Sequence, residues 1–390
     1  KIVHENFINN GFLILFISSV VGAIFGYFFT LILKKYSGKI IKVMLWGNAI
    51  LLCISCIICF AIGMIFSGII WLIFGLLFVI YMWNIQSRIA FAEAMLKIST
   101  TIIRNYEGTI LIALATLIIQ IIWIFWCSTI LVNYMSRDNA SHFHIFLVVV
   151  SFYWNLEILK NISHVTTCGV AAQWYYSQYP SNNATKLSLK RAITTSFGSI
   201  CFGSTLVSFI HAIKHIITHM RERIDNKIIS CIIDCFLSCL EKIIEYFNIY
   251  AFSHVAIYGT SYIRSAKNAM LLLKSKGIDA LINDDLSGFA LLCGSCIGGL
   301  ICSIISGSAA YFTDSLYKYS ITFAFLGFIV GYFLCSTVLN VISSGIATLF
   351  VCFAEDPNEL HKNHFIEYNI FDQAKLKLFH SEFDHDPPTP

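Results

Sequence analysis

From residue 109 to residue 133 the chain runs for 25 residues without a charged side chain. As a helix that stretch is longer than the ~30 Å hydrocarbon core of a bilayer. In lipid the backbone must satisfy its own hydrogen bonds, which leaves helices or closed barrels. Eight more apolar segments accompany it, at about 11–33, 43–66, 68–83, 143–176, 193–213, 229–258, 289–311 and 321–353. The expected fold is all-α, a polytopic membrane bundle with nine spans over residues 1–353 and a polar tail over 354–390. Composition closes the alternatives. Hydrophobic types make up 57% of the 390 residues and charged types 12%, against about 25% charged in soluble domains. A water-soluble enzyme lacks the polar faces it would need. The net charge is only +4, with no basic stripe, which excludes nucleic acid as a partner.

Basic residues in short loops orient such a bundle. Lys34, Lys35, Lys39 and Lys42 put the loop after the first span in the cytosol. Alternation then places Lys186, Lys190, Arg191, Arg264, Lys267, Lys274, Lys276 and the C-terminal tail inside, and the stretches near Arg137 and Lys318 outside. Lys214, Arg221, Arg223 and Lys227 run against this count. The sequon at Asn139-Ala-Ser141 falls outside and Asn183-Ala-Thr185 inside. The chain begins at Lys1, which suggests a missing natural start. With no n-region or small-residue cleavage site beside it, the first apolar run reads as a span rather than a signal peptide.

Two segments are amphipathic. In 88–104, Phe91, Met95, Ile98 and Ile102 share a face while Glu93 and Lys97 form an i,i+4 pair, the pattern of an interfacial helix. In 229–258, Asp234, Ser238, Glu241, Glu245 and Asn248 recur at helical spacing, which suits either a headgroup surface or a watery cavity. The fourteen cysteines lie mostly in spans and read as small packing residues. Cys231, Cys235 and Cys239 also admit S-acylation. Cys53-x-x-Cys56 and Cys293-x-x-Cys296 lack clustered histidines, so no metal is expected. Gly22-x-x-x-Gly26, Gly294-x-x-x-Gly298 and Gly327-x-x-x-Gly331 fit close helix packing. Gly198 and Gly203 are expected where the sixth segment meets another helix or a cavity.

The chemistry concentrates in 152–176. Trp154, Glu157, Asn161, His164 and Cys168 follow one another by three or four residues and form one helical stripe. A carboxylate at membrane depth must face protein or water. Glu157 with Lys160 is either a structural ion pair beside a satisfied core histidine, or part of a cation pathway. In the second case Tyr153, Trp154, Trp174, Tyr175 or Tyr176 supply aromatic faces, which quaternary ammonium ions favour, and Glu157 or His164 exchanges protons.

This stretch is similar to the signature of the choline transporter-like family, a Trp-x-x-Glu-x-x-x-Asn-x-x-His-Val pattern with an aromatic end. Three further regions resemble it in order. They are Thr195-Ser-Phe-Gly-Ser-Ile-Cys-Phe-Gly-Ser204; then Ala256-Ile-Tyr-Gly259 with Ser265-Ala-Lys267 and Gly277-Ile-Asp-Ala-Leu-Ile-Asn-Asp284; and Ala354-Glu-Asp-Pro357, which resembles especially the fungal plasma-membrane branch. The resemblance covers 152–357 and adds Tyr258 to the site residues. It implies a ten-helix solute carrier of the plasma membrane with both ends cytosolic. The nine spans would be the second to tenth, with the first helix and its outer loop absent. It also implies transport of choline or a related amine, exchanged against protons. No cofactor is implied. No G-x-x-x-x-G-K-[ST] or His-Glu-x-x-His occurs, so a gradient rather than ATP would drive transport, and enzymatic activity is not expected. The competing class is a non-transporting scaffold or receptor, or a carrier of another small solute.

Overall fold

A computed structural model describes residues 2–135, 142–179, 181–220, 227–313 and 316–383. Among them every long element is a helix. Seven helices are long and apolar enough to cross a membrane, so the chain is an all-α polytopic membrane protein. Those seven contain eight of the nine expected segments, because Asn10–Ala61 holds the first two in one 52-residue stretch. The remaining segment, 229–258, is helical but is not among them.

The chain divides into two compact units, discontinuous in sequence. The first comprises Lys1–Thr101, Ile278–Ile346 and Leu360–Pro390. Its α1 (Ile2–Ala61) corrects the expected loop at 34–42: the chain stays helical and only kinks, at Tyr36. The adjoining Ser37-Gly38 pair is of a kind that commonly kinks helices. Lys35 and Lys39 lie over the Tyr36 ring, 5.2 and 5.8 Å from its centroid, and Glu93 packs on Gly38. Helix α2 (Ile65–Asn84) follows a turn at Gly63, whose φ of +83° favours glycine. Helix α3 (Gln86–Asn105) buries Met95, Ile98 and Ile102, as their spacing predicts, and also Leu96, Ser99, Thr100 and Ile103. Its exposed stripe, with Glu93 and Lys97, is therefore narrower than that of an interfacial helix.

In this unit lie residues 278–311 of α9 (Tyr262–Tyr311) and 320–346 of α10 (Ser320–Glu355). A Cβ on Gly22 would sit 3.2 Å from Cys302 Sγ and 3.3 Å from Gly331 Cα. One on Gly331 would sit 2.5 Å from Cys302 Cβ. Gly298 meets Cys335, and Gly327 meets Ser306. The thiols of Cys302 and Cys335 donate to the carbonyls of Ser18 and Gly22, at 3.3 and 3.1 Å. They are free thiols, and they serve as small weak donors between close helices. The expected polar tail contains α11 (Pro357–Asn363) and α12 (Phe365–Phe383). Phe371 of α12 is fully buried, its ring 5.8 Å from that of Phe91. The region around Arg137 with its sequon, Arg221, Arg223 and Asp386 lies outside the described residues, as do the side chains of Lys227, Cys231 and Asp234.

The second unit comprises Ile102–Gly277 and Ala347–Glu359. It holds α4 (Gly108–Met135), α5 (His142–Tyr176), α6 (Ala184–Ile193), α7 (Phe197–Met220) and α8 (Lys227–Tyr258). Helix α5 packs against all four of the others, and this places its polar stripe among them.

Candidate functional site

On α5 the stripe points at α7 and α8. Trp154 Nε1 donates to the carbonyl of Cys201 at 3.1 Å. Asn161 is buried and its amide donates to Ser204 Oγ at 2.9 Å. His164 Nε2 lies 3.1 Å from the carbonyl of Ile249 and 3.5 Å from Cys168 Sγ, and Cys168 reaches Ser253 Oγ at 3.6 Å. A neutral amide and an imidazole are thus satisfied by groups on facing helices, which offsets the cost of burying them.

Glu157 is the centre of a charged cluster. Its side chain is 12% exposed. Lys160 Nζ lies 3.3 Å from Glu157 Oε1 and 3.6 Å from Glu245 Oε1 on α8. His211 of α7 stands between the acids. Its Nδ1 is 3.0 Å from Glu241 Oε1, and its Nε2 is 4.0 Å from Glu157 and 3.9 Å from Glu245. Lys214 donates to Glu241 Oε2 at 2.6 Å. The Tyr153 ring stacks on His211 at 5.4 Å and 20°. Three carboxylates, two lysines and a histidine from three helices therefore meet beside an aromatic face. Glu241, Glu245 and Asn248, three of the five members of an ambiguous stripe in the sequence, turn toward α5 and α7. Lys214, which the topology count treats as a loop residue, belongs to α7 and is part of the cluster.

The remaining expected residues divide. Trp174 is buried, but it lies 17 residues beyond Glu157 on the same helix, about 26 Å along the axis. It cannot share a site with Glu157. Tyr258 is half-exposed and its hydroxyl donates to Glu355. Nearby, Tyr175 donates to the carbonyl of Asp356 at 2.8 Å. His254, fully buried, holds Nδ1 3.7 Å from Glu355 Oε1, and among the described residues neither ring nitrogen has a hydrogen-bond partner. Gly203 sits against Tyr262 and Phe252, and Asn248 donates to its carbonyl at 3.4 Å. Gly198 does not share that role. It is exposed, and a Cβ there would meet nothing within 4 Å, because it lies in the first turn of α7 away from the neighbouring helices.

Residue-level reading missed His211 entirely. A lone histidine in an apolar run carries no local signal, and only its three-residue distance from Lys214 hints at a polar face. His254 was equally silent, although it lies two residues before the Ala256–Gly259 motif.

The fold and the cluster together define a helical, multi-pass membrane protein with ionisable groups held between helices. A sequence model described as plasma-membrane choline transporter matches residues 69–358, well over half of the chain, and the chain belongs to that family. Protein PNS1 of Gibberella zeae is 32% identical over 330 residues, 78% of this chain and 61% of the relative. A CTL-like protein of Dictyostelium discoideum is 31% identical over 336 residues, 84% of this chain and 60% of the relative. Protein PNS1 of Cryptococcus neoformans is 30% identical over 375 residues, 88% and 68% respectively. The chain spans about three-fifths of the length of the first two relatives.

Proposed function

We propose that this chain is the membrane part of a secondary transporter that carries choline-like organic cations across the plasma membrane in exchange with protons. The carrying observation is the cluster of Glu157, Glu241 and Glu245 with Lys160, Lys214 and His211. Ionisable groups at membrane depth cost about 2.5–3.5 kcal/mol each on insertion scales, and their retention between three helices points to a cation path. Lys160 from α5 and His211 from α7 lie against both Glu157 and Glu245 of α8, while Tyr153 and Glu241 contact His211 and Lys214 holds Glu241. Proton exchange belongs to the carboxylates and the imidazole among them. Tyr153 and Trp154 offer the ring faces for the cation. Tyr258, Glu355 and His254 form a second polar group, to which we assign a place further along the path.

Uptake of labelled choline into vesicles holding the full-length protein tests this, with and without an imposed pH gradient. Gradient-dependent uptake is expected. Absence of uptake of choline and of other small amines under either sign of gradient would favour the scaffold or receptor reading. The C-terminal segment is placed in the cytosol, and a Ser381→Cys variant should resist an impermeant thiol reagent applied to intact cells.

A further inference from the structure

We propose that Glu157 and Glu245 form an ammonium-binding site that the chain's own Lys160 fills when no substrate is bound, so that Lys160 is a tethered competitor of the transported cation. This rests on the cation-transport reading of the same cluster. One ammonium bridges carboxylates from two helices, at 3.3 and 3.6 Å. The other lysine is committed elsewhere: Lys214 holds Glu241 at 2.6 Å, and His211 Nδ1 takes the second oxygen of that acid. Among the described residues, Lys160 is the lysine that reaches both Glu157 and Glu245.

Exposure is unequal in the direction the proposal needs. The Lys160 side chain is 54% exposed, against 12% for Glu157 and 36% for Glu245. The acids are the less exposed partners, and Lys160 reaches them on a four-carbon stem with several rotatable bonds. It can leave by rotation about that stem without moving a helix. His211 Nε2 stands 3.9–4.0 Å from the same two carboxylate oxygens, and the Tyr153 ring backs it. A visiting ammonium would thus inherit two carboxylates, an imidazole edge and an aromatic surface.

The device answers a physical problem of carriers. After release, the empty site must return across the membrane, and two uncompensated carboxylates there are costly. A resident lysine keeps the empty state compensated. It also weakens substrate binding, because the substrate must displace a group held at high effective concentration.

The test uses the full-length protein in lipid nanodiscs, comparing wild type with Lys160→Met. The probes are methylammonium and ethylammonium chloride, with sodium chloride at equal ionic strength as the control. Empty Lys160→Met should melt below wild type. The alkylammonium salts should raise its melting temperature by about 3 °C or more while leaving wild type unchanged. Adding Glu245→Gln to Lys160→Met should abolish that response. An equal response in wild type and Lys160→Met would overturn the proposal, as would a response that survives Glu245→Gln. If Lys160→Met does not accumulate as folded protein, ethylammonium present during expression must rescue it, and no rescue overturns the proposal. Choline binding separates the two levels. Choline should bind Lys160→Met about tenfold tighter than wild type. An alkylammonium response without choline binding to either protein removes choline from the function and leaves the lysine's role standing. Choline transport by wild type without any alkylammonium response in the variant removes the lysine's role alone.

Discussion

Where α1, α9 and α10 cross, Gly22, Gly298, Gly327 and Gly331 bring backbones so close that thiols and a serine hydroxyl reach carbonyls of neighbouring helices. Where α5, α7 and α8 meet, the contacts are carboxylates, lysines, a histidine, an asparagine and hydroxyls. Lipid gives helices no hydrophobic reason to associate, so the first region gains its stability from dispersion and small-residue fit. The second accepts groups that are expensive in a bilayer and holds each near a counter-group. The first arrangement is what packing alone demands. The second goes beyond it, and that excess is why we propose the functional region there.

The largest effect that can test this contrast is at Glu157. Glu157→Gln should reach the membrane in normal amount yet lose pH-dependent choline uptake, with a rate drop of about tenfold or more, a barrier change of roughly 1.4 kcal/mol or greater. If the variant instead mislocalises, and Glu157→Gln with Lys160→Met restores both folding and uptake, then Glu157 is structural and the two regions differ only in how they pack.

Gly331→Val probes the other side. Its Cβ would meet Cys302 at 2.5 Å, and overpacking of this kind costs about 1–3 kcal/mol. Thermal melting should show the loss, while the protein that remains folded keeps the wild-type pH profile of uptake. A changed profile at unchanged stability would break the division of labour.

A smaller and sharper test lies on α7. Gly203→Leu should lower the melting temperature, because Tyr262 and Phe252 occupy the space its side chain needs. Gly198→Leu should stay within about 0.5 kcal/mol of wild type, since nothing lies within 4 Å of its Cβ direction. Equal damage at both positions would mean that the contacts with Tyr262 and Phe252 do not govern this segment, since leucine is the better helix former at either site.

The smallest effect concerns Tyr262, whose hydroxyl donates to Asn248. Burial pushes its phenol up from 10.0 to about 12. A raised value means that the stability contributed is present below pH 10 and is lost as pH climbs from 10 to 12. Melts between pH 9 and 12 should show wild type falling by about 1 kcal/mol through that window more than Tyr262→Phe does. Parallel curves would remove Tyr262 from the polar network.

The helical class was legible from the chain alone, because long uncharged runs leave the backbone no partner but itself. So was the α5 stripe from Trp154 to Cys168, since spacings of three and four put residues on one face whatever surrounds the helix. The three glycine pairs were legible for the same reason. What faces those surfaces was not. Glu157 meets Glu245 through Lys160 and comes within 4.0 Å of His211, yet their sequence separations follow no period. An apolar helix face looks the same whether lipid or another helix covers it. Hence Gly198 and Gly203 read alike although only Gly203 is packed, and Trp174 grouped with Glu157 although a rigid helix holds them about 26 Å apart. The kink at Tyr36 was hidden by the lysines around it, which mark membrane ends equally well in a loop and in a helix that continues. Local spacing fixes direction along one helix; only the packing of several helices decides which charges become neighbours, because that depends on contacts between segments far apart in the chain.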